Sequence, residues 1–239
     1  ALGGFLYVVG GQDDSRVLAT NERFDPISNT WESLPPMPTP RLRCGVSGAR
    51  GKLQVFGGSQ RDKCLAASEC FDPVDGRWEL LPSMSSPREQ CAATSSQGFA
   101  SQGFVYLVGG RDDYRTIANA ERFDVARRRW EQLPPMPTAR AACGAAVCSG
   151  FLYVFGGYVV GFLAIVERYN ISLSMWEQVA HMPVVRGECS ACAAGLRMFV
   201  LGGNYDQCFE TFDHLTLDWL PQVQIPNPRY GCAVAALSL

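Results

Sequence analysis

Residues 10–31 read GGQDDSRVLATNERFDPISNTW. A Gly-Gly pair closes an apolar run, a Glu stands two residues before an aromatic ring, an Asp follows the ring, and a Trp comes six residues after that Asp. The same order recurs along the chain. Gly-Gly doublets begin at 10, 57, 109, 156 and 202, at spacings of 47, 52, 47 and 46. The stretches before them (FLYVV, KLQVF, FVYLV, FLYVF and RMFVL) are short and rich in β-branched and aromatic residues, which is strand composition. The Glu/ring pairs are Glu22/Phe24, Glu69/Phe71, Glu121/Phe123, Glu167/Tyr169 and Glu210/Phe212. All five Trp of the chain, at 31, 78, 130, 176 and 219, hold the same register. Ten residues past each Trp stands an Arg (41, 88, 140, 186, 229), and three past each Arg a Cys (44, 91, 143, 189, 232).

A period near 47 with four strand-like segments per unit predicts a β-propeller rather than a helical repeat. The innermost strand follows the Arg, the second ends in Gly-Gly, the third carries Glu-x-aromatic, and the outer one carries the Trp. Pro-rich stretches such as LPPMPTPR (34–41) then cross to the next blade, where a fixed φ and a missing donor do no harm. A lone four-stranded sheet has two open faces, and stacking blades around an axis buries both. The Trp supplies apolar area between blades. The Glu is expected to accept backbone hydrogen bonds, since a buried unpaired carboxylate is costly.

Composition limits the alternatives. Net charge is −2 and charged residues make up 18%, which gives no electrostatic reason to expect nucleic acid or an anionic membrane. No apolar run approaches the roughly 20 residues of a membrane span. No secretory signal is visible, and a start at Ala1 without an initiator Met reads as an excised piece.

Gly-Gly, then Glu-Arg-Phe-Asp, then Trp resembles the kelch repeat, and the resemblance covers essentially the whole chain. It implies an all-β kelch-type propeller in which each repeat is one four-stranded blade. Repeat units fall at about 1–40, 41–87, 88–139, 140–185 and 186–228, within a single domain over 1–239. RYGCAVAAL (229–237) carries the Arg and Cys of an inner strand, so 229–239 is expected to join the N-terminal blade and close a five-blade ring. A fragment of a larger ring is the alternative. The interval of 52 contains SSQGFASQGF (95–104), a short tandem duplication that lengthens one turn.

No catalytic motif is present, and no cofactor or metal is expected. The chain has two His, His181 and His214, neither at ligand spacing, so the copper oxidase chemistry that some kelch-type propellers carry has no ligand set here. The five framework Cys read as small apolar residues where blades crowd the axis, and Cys189-x-x-Cys192 would point to opposite faces of a strand. So many unpaired thiols fit a reducing, cytoplasmic setting.

The candidate site is the mouth of the central channel. Arg41, Arg88, Arg140, Arg186 and Arg229 lie just before the inner strands, where a guanidinium ring would suit carboxylates or phosphorylated segments; alternatively each is tied down by its surroundings. Arg43 stands where the other repeats have Gln90, Ala142, Glu188 and Gly231, and so points to a partner rather than the frame. The loops after Gly-Gly vary while their frame does not, and they contribute Arg111, Tyr114, Tyr158 and Tyr205. The loop YVVGFLAIV (158–166) is almost wholly apolar and either packs on its blade or forms an exposed patch. The expected partner is a protein or peptide with an acidic or phosphorylated segment beside an apolar anchor. The resemblance implies the substrate-recognition half of an adaptor for a cullin-type ubiquitin ligase, with the ligase engaged through domains absent here. A cytoskeletal, actin-associated or scaffolding protein is the alternative.

Overall fold

In the computed structural model the described residues are 1–95, 103–203, 208–227, 229 and 231–237, with the side chain of Cys208 excluded. The duplicated turn at 96–102 therefore lies outside them. The protein is all-β and forms a five-blade arrangement, with no helix among the described residues.

Blade one has three strands, Leu6–Val9, Asn21–Asp25 and Thr30–Leu34. Blade two has four, Gly45–Ala49, Lys52–Phe56, Ser68–Asp72 and Arg77–Leu81. Blade three runs Ala92–Ser95, Phe104–Val108, Ala120–Asp124 and Arg129–Leu133. Blade four runs Gly144–Cys148, Phe151–Phe155, Val166–Asn170 and Met175–Val179. Blade five runs Cys189–Ala194, Arg197–Gly202, Cys208–Asp213 and Asp218–Trp219, with Val223–Gln224 pairing back onto its third strand. Neighbours within each blade are antiparallel, and the inner strands of blades two to five pack side by side.

The Trp acts within and between blades. Its ring packs on the aromatic residue of the third strand, at centroid distances of 5.1 Å for Phe71–Trp78, 5.1 Å for Phe123–Trp130 and 5.2 Å for Tyr169–Trp176. Its indole N–H donates to the preceding blade's crossover: Trp78 to Pro35 O at 2.8 Å, Trp130 to Pro82 O at 2.9 Å and Trp176 to Pro134 O at 2.8 Å.

The repeated Glu is satisfied differently from the expectation. Its partner is the repeated Arg, in the ion pairs Arg41–Glu69 (2.7 Å), Arg140–Glu167 (2.9 Å), Arg186–Glu210 (3.2 Å) and Arg88–Glu121. Both members are fully or almost fully buried in every pair. A guanidinium neutralises the carboxylate, which backbone amides cannot do, and it has donors to spare. Arg41 Nη1 also donates to Gly57 O and Ala67 O, each at 3.0 Å, while Gly11 N in blade one donates to Arg41 O at 2.9 Å. The backbone of Arg41 is thus held by blade one and its side chain by blade two. Arg140 repeats the arrangement with Gly156 O and Ile165 O. The glycines are required here. Gly57 has φ +59°, and a Cβ on it would stand 2.4 Å from Arg88 O.

Among the described residues the expected closing strand is not formed. Residues 231–237 carry no strand, and blade one has three strands among the described residues. The segment instead follows blade five: Gly203 N donates to Arg229 O (2.9 Å), Gly231 N to Glu188 O (3.1 Å) and Val234 N to Ser190 Oγ (3.1 Å). The other inner strands join their neighbours through tight local turns, as at Arg50-Gly51 and Ser149-Gly150, both of positive φ. Residues 229–237 and Leu6–Val9 share no such turn to set a register. Blade one is left bare on that side. Val8 is 50% exposed, whereas its equivalents Val55, Leu107, Val154 and Val200 are 0%. Glu22 and Arg229 are both exposed and form no ion pair with each other.

Two outcomes follow from these junctions. Arg140→Ala strands the buried Glu167 carboxylate and should cost about 3–5 kcal/mol in denaturant unfolding, whereas Arg229→Ala should leave the midpoint where it is. An equal loss from Arg229→Ala would mean that a fifth pair forms in solution. The framework thiols should also be slow to alkylate. Cys91, Cys143 and Cys189 are buried and Cys44 is partly so. Burial pushes Cys44, Cys91 and Cys189 up to about 11 and Cys143 to about 12. The thiolate that reacts is therefore scarce at neutral pH. Maleimide labelling near pH 7.5 should be slow until denaturant is added.

Candidate functional site

Four of the five framework arginines are not at the mouth. Arg41, Arg88, Arg140 and Arg186 are fully buried at the blade junctions and have no surface to offer a partner. Their periodicity reflects the junction, which repeats from blade one through blade five. Arg229 is exposed at the end of blade five, and Tyr205 lies outside the described residues.

The mouth itself is framed by main chain. The residue two past each framework Arg is left-handed: φ is 56° at Arg43, 54° at Gln90, 53° at Ala142, 57° at Glu188 and 60° at Gly231. From Gln90 onward each amide donates to the carbonyl of its predecessor, Gln90 to Arg43 (2.9 Å), Ala142 to Gln90 (2.8 Å), Glu188 to Ala142 (2.9 Å) and Gly231 to Glu188 (3.1 Å). Only backbone atoms are used, so side chains at these positions can differ from blade to blade, and they do.

Arg43 and Arg111 meet over a carboxylate that sequence reading missed. Glu89 is buried, with Arg43 Nη1 3.4 Å from its Oε2, Arg111 Nε 3.9 Å from its Oε1, and Ser59 Oγ donating to Oε2 at 2.5 Å. Both arginine side chains remain about half exposed. The signal for Glu89 was available, since the other repeats place Leu42, Ala141, Gly187 and Tyr230 there.

Arg111 also belongs to a cleft of about 520 Å³ between the loops of blades three and four, with Tyr114, Arg115, Tyr158, Phe162 and Glu188 among its lining residues. The blade-three loop is rigid at its base, because Asp112 Oδ1 accepts from the amides of Tyr114 and Arg115 at 2.9 Å each. Asp113 Oδ1 accepts from Cys64 N of blade two at 2.9 Å. Tyr114 projects from this support at 92% exposure. The apolar blade-four loop divides between its two expected fates. Phe162 lies over Gly187, where a Cβ would come within 2.1 Å of the ring, and it packs edge-on against Tyr158 at 5.8 Å. Val160 at the tip is 90% exposed. Of the sequence candidates, the structure therefore gathers Arg111, Tyr114 and Tyr158 into one cleft, sets Arg43 beside Arg111 over Glu89, and withdraws four of the framework arginines.

Comparison with known proteins agrees with this architecture. The KLHDC2/KLHL20/DRC7 Kelch-repeats domain matches residues 1–157, and the Kelch motif matches residues 139–183. The chain belongs to the kelch-repeat family. It is 31% identical to Kelch-like protein 35 of Mus musculus over 157 residues, which are 66% of this chain and 26% of that protein. It is 42% identical to Kelch domain-containing protein 8B of Rattus norvegicus over 60 residues, 25% of this chain and 17% of that protein. Kelch-like protein 25 of Xenopus tropicalis is 28% identical over 165 residues, 64% of this chain and 27% of that protein. The chain thus matches about a quarter of the length of its Kelch-like relatives. It is a kelch protein-interaction propeller, and among the described residues no helix is long and apolar enough to cross a membrane.

Glu89 should matter to the frame more than the arginines above it. Glu89→Ala leaves two cations and a buried hydroxyl without their acceptor, and should lower unfolding free energy by about 1–3 kcal/mol. Arg43→Ala, at a half-exposed position, should shift the thermal midpoint little. A larger loss from Arg43→Ala than from Glu89→Ala would invert this assignment.

Proposed function

We propose that this propeller is the substrate-recognition half of a cytoplasmic adaptor for a cullin-type ubiquitin ligase, and that it takes a segment of its partner protein into the cleft between blades three and four. The observation that carries the site is the convergence of Arg111, Tyr114 and Tyr158 on one cleft over a rigid main-chain frame. Aromatic rings and arginines are the residue types that dominate binding energy at protein interfaces. Arg111 and Arg115 suit an acidic or phosphorylated residue, and Tyr158, Val160 and Phe162 suit an apolar anchor. The role is non-catalytic and needs no cofactor or metal. The ligase assignment draws on the likeness to Kelch-like proteins; in the adaptors that the repeats resemble, a BTB domain and a helical linker precede the propeller. A single kelch domain over 1–239 is the unit proposed to bind. A cytoskeletal or scaffolding role remains the second reading, since kelch propellers of that kind share the frame.

Quantitative affinity capture tests the site. Arg111→Ala and Tyr114→Ala should each weaken a genuine partner by about tenfold, ~1.4 kcal/mol, with melting unchanged. Proteins retained equally by wild type and the double variant do not use this cleft. Actin co-sedimenting with both would favour the scaffolding reading.

A further inference from the structure

The cleft is not uniformly cationic. Glu188 lines it at the crossover into blade five, directly after the glycine on which Phe162 rests. Its backbone is fixed on both sides, the amide donating to Ala142 O and the carbonyl accepting from Gly231 N. Its side chain is exposed, and no Lys or Arg among the described residues lies within ion-pair distance of it. Arg111 and Arg115 stand on the blade-three side, the Tyr158–Phe162 pair comes from the blade-four loop, and Glu188 is held at the entry to blade five. The site is therefore ordered by blade as cation, aromatic surface, anion.

Resting on the function proposed above, we infer that the partner segment is of mixed charge: an acidic residue for Arg111 and Arg115, an apolar residue on Tyr158 and Phe162, and a basic residue for Glu188. A wholly acidic segment would meet Glu188 as a like charge, and such repulsion is how an interface rejects wrong partners. The aromatic pair stands between the two charged sides of the cleft, so the apolar residue lies between the acidic and the basic one along the segment. In the sequence Glu188 enters only as one of the residues that stand where the second repeat has Arg43. In the structure that position faces the ligand side of the frame.

The test is to pan a displayed library of random dodecapeptides on the chain and measure synthetic copies of the selected peptides at moderate salt. Wild type should select peptides with an acidic and a basic residue flanking an apolar one. Glu188→Lys should bind them at least tenfold more weakly, and changing the peptide's basic residue to Glu should restore binding to Glu188→Lys alone. Selection of acidic peptides without a basic position, bound equally by Glu188→Lys, overturns the inference and leaves the cleft standing. Peptides that bind Arg111→Ala/Tyr114→Ala as tightly as wild type, or a library that yields no binder, remove the cleft itself. Melting curves of each variant exclude misfolding as the cause.

Discussion

A guanidinium locked between two blades is the interaction on which this propeller depends. At 41, 88, 140 and 186 the main chain belongs to the blade being left and the side chain to the blade being entered. Replacing such a pair with apolar residues of similar shape can leave stability unchanged, while removing one partner is severe. The pair therefore specifies more than it stabilises. It fixes which residues of adjacent blades meet, and with them the height at which the Gly-Gly turns and the inner strands sit. The Trp N–H bonds to the preceding crossover repeat that instruction nearer the outer edge.

Once the junctions are set, the mouth is free to differ. The left-handed positions at 43, 90, 142 and 188 are joined through amides and carbonyls alone, so Arg, Gln, Ala and Glu fit with one backbone geometry. Recognition chemistry is thereby separated from folding chemistry. The exception is Glu89, whose buried carboxylate serves both: it pairs with Arg43 and Arg111 from below, offsets one of their two charges and leaves their outer edges exposed.

Most of the frame was legible because a repeated pattern of strand residues, Gly-Gly and Trp has few physical solutions. The arginines stayed open between a ligand ring and a structural tie for the same reason, since periodicity alone does not say which way a side chain is used, and burial at four of the five positions decides for the tie. A better clue lay in the chain. Each buried Arg is followed by its Glu after 28, 33, 27 or 24 residues, and the 33 becomes 28 once the five-residue duplication is removed. Two opposite charges keeping step in this way mark a pair, not a ring awaiting a ligand. Phe162, Glu188 and the closing segment were not legible, because their surroundings are assembled by neighbouring blades or, at 229–237, lack a local turn to impose register.

The bare flank of blade one gives the molecule a direction. Blades two to five each have a buried Arg–Glu clamp on their leading side, while Val8, Glu22 and Trp31 face solvent where the equivalent residues elsewhere are covered or partly covered. A ring of equal junctions would open anywhere with equal ease. Here the easiest fluctuation begins at one flank and has to release clamps in sequence to travel further. Amide exchange should thus be graded around the axis, fastest in Leu6–Val9 and slowest in the inner strands of blades three and four. The proposed ligand cleft lies between those two best-protected blades, on the part of the ring that moves last.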